Sequence, residues 1–371
     1  MSPATLVHFS HRLLYTSQPT SQIEMSTESK PLVFVSGAAG FLGFEVVYQL
    51  LEAGYAVRGA ARGRKLPLLK KALDKYPHFE VVEITDIATA DYTAAFKGVG
   101  AIIHTAAPLP ACVFNQRLRS AIEGSLHILR EAQKAGIKKF VATGSMVTFP
   151  ENEYGPNDWV PVTKEQAVEG NAFVLYIAEK KFGEQAVLDF ADKHPEMDIT
   201  IFCPPWIFGP LTPGFEHIVP EPDFATFSTN GFVYQLLRAD NVNYHYMPGV
   251  LDVRDVARIH IAGLNPLTPN HPKRVPIVSP HDADFRDAIK YIAEERPELR
   301  GRLADPSKVP LWSTYKINLD LTPVEKAFGI SLGSYKTWKE TILDSIDRFI
   351  DVENQWTSKG LKFEVPTAPP M

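Results

Sequence analysis

The chain has 371 residues, 45% of them apolar and 22% charged, a balance that suits a protein with a large core and excludes a disordered or collagen-like one. Its 38 basic and 43 acidic residues give a formal net charge of −5 and are spread along the chain, so no positive field points to nucleic acid or a membrane surface. Cys112 and Cys203 are the only cysteines, too few for a disulfide framework or a thiolate zinc site; no metal is expected, and a reducing, cytoplasmic setting is.

Residues 1–24 carry one acid, Glu24, and one clear base, Arg12, with neither a continuous apolar run nor an Arg-rich amphipathic pattern. Residues 1–30 are therefore expected to be a disordered extension, and Met25 offers a second start for translation. From Pro31 to about Cys203, short β-branched runs alternate with helical patterns. Strands are predicted at Leu32–Ser36, Ala56–Ala61, Phe79–Ile84, Ala101–His104, Lys139–Thr143 and Ile199–Cys203. This is the α/β pattern of a doubly wound parallel sheet, the Rossmann arrangement. Val33–Leu51 has the length of a membrane span, but Ser36, Glu45, Gln49 and its glycines break it into strand, turn and helix. Leu118, Ile122, Leu126 and Leu129 keep helical spacing up to Gly136, which suits a left-handed cap.

After Cys203 the pattern changes: six prolines fall between Pro204 and Pro222, disfavouring both helix and central strand. A smaller, loop-rich C-terminal lobe is predicted, with helices at Asp252–Leu264, Asp282–Glu295 and Trp338–Val352 and a strand at Arg274–Val278 that returns to the first sheet. The expected partition is a dinucleotide-binding domain over 31–205 with 252–280, a substrate lobe over 206–251 and 281–352, and a C-terminal tail over 353–371.

The first predicted strand runs into Gly37-Ala38-Ala39-Gly40-Phe41-Leu42-Gly43 and then a helix. At such a turn, Gly37 and Gly40 let a pyrophosphate approach the backbone, Gly43 lets helix and strand pack closely, and the helix N-terminus supplies amide donors. An NAD site usually ends its second strand with an acid for the ribose 2′-hydroxyl. Here Val57-Arg58-Gly59-Ala60-Ala61-Arg62-Gly63-Arg64-Lys65 offers guanidinium groups instead, which suit the 2′-phosphate of NADP.

Tyr176 and Lys180 share one face of a long predicted helix, beside an apolar stripe of Leu175, Ala178, Phe182, Ala186 and Phe190. An adjacent ammonium favours a phenolate, so the pair suits proton delivery to a carbonyl oxygen that receives a hydride. Tyr335 and Lys339 repeat the spacing, so one pair is a decoy. Tyr176 is the one flanked by the fifth and sixth strands, and Ser145 follows the fifth, where ligands of such sheets lie. Ser145 is then a hydrogen-bond donor to the substrate oxygen.

Together these segments, with His104-Thr105-Ala106-Ala107-Pro108, Pro204-Pro205-Trp206-Ile207-Phe208-Gly209-Pro210 and Asp252-Val253-Arg254-Asp255-Val256-Ala257, resemble an extended short-chain dehydrogenase/reductase over about residues 31–350. The nearest branch is that of dihydroflavonol, cinnamoyl-CoA and yeast-type aldehyde and ketone reductases. The resemblance implies a triad of Ser145, Tyr176 and Lys180, with Lys180 also on the nicotinamide ribose. It places Asp86 at the adenine, Arg62 at the 2′-phosphate, and Thr105 and Ala106 along the cofactor. Phe41, Leu42, Ile87, Ala107 and Pro204 complete the NADPH-binding set it implies. Two positions depart from the family: Gly144, where relatives often have Ser or Thr, and Glu123, where many carry an Asn that supports a proton relay.

Between Pro204 and Val250 the only basic residue besides histidine is Arg238, a poor cradle for a nucleotide diphosphate. The same stretch holds Trp206, Phe208, Phe215, Phe224, Phe227, Phe232, Tyr234, Tyr244 and Tyr246, of which about half are expected in the lobe's own core. The sequence thus favours an NADPH-dependent reductase of an apolar or aromatic aldehyde or ketone, acting as a monomer or homodimer. A nucleotide-sugar epimerase or dehydratase and a non-catalytic dinucleotide sensor are the alternatives.

Overall fold

The computed structural model describes residues 30–106, 114–311 and 314–367. The expected extension before Lys30 and the positions Ala107, Pro108 and Cys112 lie outside them. In chain order, β1 (Leu32–Ser36) leads into α1 (Phe41–Glu52), β2 (Val57–Ala61), α2 (Lys65–Ala72), β3 (Phe79–Glu83), β4 (Val99–His104), α3 (Phe114–Lys134) and β5 (Lys139–Thr143). Then come α4 (Lys164–Glu169), α5 (Ala172–Lys193) and β6 (Asp198–Cys203). The rest comprises β7 (Trp206–Phe208), α6 (Asn230–Tyr234), β8 (Met247–Pro248), β9 (Val250–Asp252), α7 (Val253–Ala262), β10 (Arg274–Pro276), α8 (Phe285–Glu295), β11 (Thr314–Tyr315), α9 (Thr322–Phe328) and α10 (Trp338–Ser358).

Among the described residues, seven strands form one parallel sheet in the order β10-β6-β5-β4-β1-β2-β3. Val33, Phe34 and Val35 of β1, Ile102 and Ile103 of β4, and Phe140 and Val141 of β5 are buried, as strands covered on both faces by helices must be. The strand order reverses between β1 and β4, which opens a crevice at their carboxyl ends. The predicted return of Arg274 to the sheet is observed, as a three-residue edge strand stopped at Pro276, beside β6. The opposite edge is β3.

The proline-rich stretch is less irregular than expected. Trp206–Phe208 pairs in parallel with Val250–Asp252, a two-stranded sheet that joins both ends of the segment and that no local signal announced. The last helix runs to Ser358 rather than ending at Val352, so residues 353–358 belong to α10 and not to a tail. Its buried stripe of Ile342, Ile346, Phe349, Val352 and Trp356 continues through that end. Glu353 interrupted the apolar pattern in sequence, but its carboxylate is held by Arg302 at 2.7 Å and by the Tyr234 hydroxyl.

Of the nine aromatic residues between Pro204 and Val250, Phe208, Phe215, Phe227, Phe232 and Tyr234 are buried in the core. Phe227 stacks on Phe349 and Trp356, and Phe208 packs edge-on against Trp338. Trp206, Phe224 and Tyr244 are half-buried, and Tyr246 is exposed.

Candidate active site

The glycine turn closes β1 onto α1. Gly37 has φ +70°, and a Cβ there would lie 2.9 Å from the Ala106 nitrogen and from Thr105 Oγ1. A Cβ on Gly43 would lie 2.1 Å from the Gly37 carbonyl oxygen, so only glycine lets α1 approach the turn this closely. Gly40 differs, since its Cβ would meet only Gly37 O, at 3.3 Å, and otherwise enter open space. Among the described residues no side chain caps α1, which leaves the first-turn amides of Phe41, Leu42 and Gly43 for an anion. Beside the turn, Thr105 Oγ1 donates to Ser36 O at 2.7 Å, and His104 Nδ1 lies 2.7 Å from Ser36 Oγ. Burial, reinforced by the Lys180 charge, pushes His104 down to about 4, so the ring is neutral at neutral pH.

The arginines after β2 separate by role. Arg58 points to the far side of its strand, where it pairs with Glu80 and bonds Ala95 O and Lys97 O. Arg64 meets Asp223 at 3.2 Å. Arg62 is exposed and has no ion pair or side-chain hydrogen bond to the described residues, so of the three it is the free guanidinium. Glu83, at the end of β3, accepts from the Gly63 amide at 3.1 Å. Asp86 is exposed, and its carboxylate caps its own loop through Ala88 N and Thr89 Oγ1, leaving Ile87 half-buried beside it. Turn, uncapped helix and free guanidinium together fit a dinucleotide carrying a 2′-phosphate.

Ser145 stands at the carboxyl end of β5. Its backbone is extended, it opens a single 3-10 turn, and its residue is 6% exposed. Gly144 N donates to Phe202 O and Met146 N to Pro204 O, so the ends of β5 and β6 are zipped together and Pro204 lies against the serine turn. Tyr176 is on α5, 38% exposed, with its ring stacked at 6.4 Å on Phe173 one turn earlier. Lys180 follows on the same helix, half-buried, and its charge bears on both His104 and Glu184. The stripe expected beside this pair shifts: Leu175, Ala178, Glu184, Val187 and Ala191 are buried, while Phe182, Ala186 and Phe190 are half-buried. Small residues and a partnered glutamate let α5 approach the sheet, and the larger rings lie at its flank.

The competing pair falls apart in three dimensions. Tyr335 precedes α10, which starts at Trp338, so Tyr335 and Lys339 share no helix face. Its ring is buried under Arg258, and Lys339 bonds Glu295. Glu123 is turned along α3 to Arg130 at 2.8 Å, an exposed ion pair.

Two residues at the centre of this arrangement escaped the sequence reading. Glu184, two turns beyond Tyr176, accepts from the Ser145 amide at 2.8 Å, and Arg274 reaches the same carboxylate at 3.2 Å. The available signal was a glutamate at a buried position of the α5 periodicity and an arginine opening an apolar strand; each needs a partner if buried.

Residues 33–271 match the family model described as the NAD dependent epimerase/dehydratase family. The chain belongs to this family. Among members of the NAD dependent epimerase/dehydratase family and related proteins, an oxidoreductase of Schizosaccharomyces pombe is 30% identical over 346 residues, covering 85% of this chain and 96% of its own. The NADPH-dependent methylglyoxal reductase of Saccharomyces cerevisiae is 24% identical over 348 residues, 87% of this chain and 99% of that protein. The crystal structure of yeast methylglyoxal/isovaleraldehyde reductase complexed with NADPH superposes with a TM-score of 0.72 at 24% identity, again over 87% and 99% of the two chains. That likeness shows the fold. Among the described residues, no helix of this family member is long and apolar enough to cross a membrane.

Proposed function

We propose that the chain is an NADPH-dependent reductase of an apolar or aromatic aldehyde or ketone, working through Ser145, Tyr176 and Lys180. The reading is supported by the glycine turn after β1, Thr105 and Ala106 after β4 and Ser145 after β5, with α5, the helix that bears Tyr176 and Lys180, tied to the Ser145 amide through Glu184. NADPH-dependent carbonyl reductases among the relatives support it.

Gly37, Gly40 and Gly43 with the α1 amides of Phe41 and Leu42 would hold the pyrophosphate, and Arg62 the 2′-phosphate. Asp86 and Ile87 would lie along the adenine, and Thr105, Ala106, Lys180 and Pro204 towards the nicotinamide half. When bound, NADPH supplies the hydride. The chain's own part is to place the carbonyl oxygen between the Ser145 hydroxyl, which donates a hydrogen bond, and the Tyr176 hydroxyl, which delivers the proton. The Lys180 ammonium stabilises the phenolate left behind. Residues 31–205 with 252–280 would form the nucleotide-binding part, and the remainder up to α10 the substrate lobe.

A nucleotide-sugar substrate is not favoured. Arg238, the single non-histidine base between Pro204 and Val250, is already engaged by Asp240 at 2.7 Å and by Val365 O at 3.0 Å. The test is oxidation of NADPH, with NADH in parallel, over a panel of aryl and alkyl aldehydes and ketones. Consumption that is abolished in Tyr176→Phe is expected. NADPH binding without turnover of any carbonyl, or full activity in Tyr176→Phe, overturns the reading.

A further inference from the structure

Behind the serine turn lies a closed set of polar groups that the reaction outlined above does not use. Glu184 is 5% exposed and Arg274 is 2% exposed. Glu184 Oε1 accepts from Ser145 N, and Oε2 accepts from Arg274 Nε; the Thr148 hydroxyl lies 2.9 Å from Oε2 and 2.8 Å from Ser145 O. Arg274 Nη2 donates to Thr148 Oγ1 at 2.8 Å, and Nη1 to the carbonyls of Asp158 and Pro156 at 2.8 and 3.4 Å. The guanidinium is sandwiched between Phe149 and Trp159, 3.6 Å from each ring centre. One cation thus joins the edge strand β10, the serine turn and the 156–158 segment.

Replacing a buried ion pair by apolar side chains is often neutral or stabilising, so stability alone gives no reason for this one. Its geometry gives another. Glu184 shares a rigid helix with Tyr176 and Lys180, and its one bond to the Ser145 amide fixes where that helix stands relative to the serine. Room has been kept for it: a Cβ on Gly144 would lie 2.7 Å from Glu184 Oε1 and 2.7 Å from Cys203 Sγ. The glycine that departs from the family pattern is the one against which the carboxylate rests.

We propose that Glu184 is a positioning residue, its carboxylate setting the Ser145 hydroxyl relative to Tyr176, with Arg274 as the partner that balances its charge where it is buried. The catalytic part of this inference rests on the function proposed above, whereas the bond itself can be tested without it.

Two double variants separate position from charge. Glu184→Gln/Arg274→Met keeps an acceptor for the Ser145 amide and strands no charge; Glu184→Leu/Arg274→Met is equally neutral but has no acceptor. The first is expected to stay within about threefold of wild-type kcat, and the second to lose about 100-fold with KM for NADPH unchanged. In a Ser145→Ala background the two should become equal, since the groups act through Ser145. Hydrogen exchange read by mass spectrometry over residues 144–149, without substrate or cofactor, should be faster in the Leu variant only. That readout still decides the positioning role if the wild type reduces no carbonyl, an outcome that would overturn only the functional reading. Should a double variant fail to melt cooperatively, Glu184→Asp keeps the charge but withdraws the carboxylate, and the same faster exchange and lower kcat are expected. Equal exchange in all variants, or a kcat difference that persists with Ser145→Ala, overturns the inference.

Discussion

Three glycines of one turn do different work, and substitution should separate them. At Gly43 an added Cβ meets backbone at 2.1 Å, so Gly43→Ala must displace α1; a loss of about 1–3 kcal/mol in urea unfolding, together with weakened NADPH binding, is expected. At Gly40, an extended N-cap, the added methyl meets only the Gly37 carbonyl oxygen, at 3.3 Å. Gly40→Ala should therefore cost no more than about 1 kcal/mol while still raising the Kd for NADPH, measured by fluorescence. Arg62 separates the cofactors in the same way. Arg62→Ser should raise KM for NADPH by about 10- to 100-fold and leave KM for NADH unchanged, because only the phosphate loses a charged partner. The places of single residues were legible in the sequence where chemistry and chain position coincided: Gly37 and Gly43 at the first turn, Ser145 after β5 and Tyr176 on α5. They were not legible where a role depends on a partner distant in sequence: Glu184 and Arg274 are 90 positions apart, and the sequence alone does not reveal that they meet.

At the scale of elements, period and punctuation located every strand of the main sheet to within two residues, the inner ones chiefly because strands covered on both faces are largely apolar. The β7–β9 pair could not be found that way. Its strands have three residues each and are joined across more than forty, so their partner is set by the lobe as a whole. The end of α10 was hidden by Glu353, whose polarity masked a buried position. The extra turns matter for packing. Trp356 is fully buried, its indole nitrogen donates to Val219 O at 3.0 Å, and its ring stacks on Phe227. Trp356→Ala should destabilise the protein by about 3–5 kcal/mol, seen as a lower urea midpoint; a change under about 1 kcal/mol would mean that this end of α10 is not part of the cooperative core.

For the molecule as a whole, two neutral histidines tie stability to pH. His260 of α7 is fully buried between Val256 O and the Thr143 hydroxyl, and burial pushes it down to about 4, as it does His104. Above about pH 6.5 both folded and unfolded chains leave these rings neutral, and their contribution is intact. As the pH falls from there towards 4, the unfolded chain binds protons that the folded one refuses. Stability should then decline by up to about 1.4 kcal/mol per pH unit for each ring. Urea unfolding between pH 7.5 and 4.5 measures the slope, and His260→Asn should make it shallower. An unchanged slope would show that this ring is not the titrating group.

The sheet order also bears on how the molecule keeps from joining others of its kind. A parallel sheet of apolar strands is a template for further strands wherever an edge is open. Here one edge is β3, whose Glu80 and Glu83 are exposed charges on that border strand, and the other is β10, three residues long and closed by a proline with no amide to give. Strand-by-strand growth is discouraged on both sides. Contacts between folded copies are left to helices and loops, and a variant such as Glu80→Val should show its effect as aggregation on storage rather than as a change in folding or turnover.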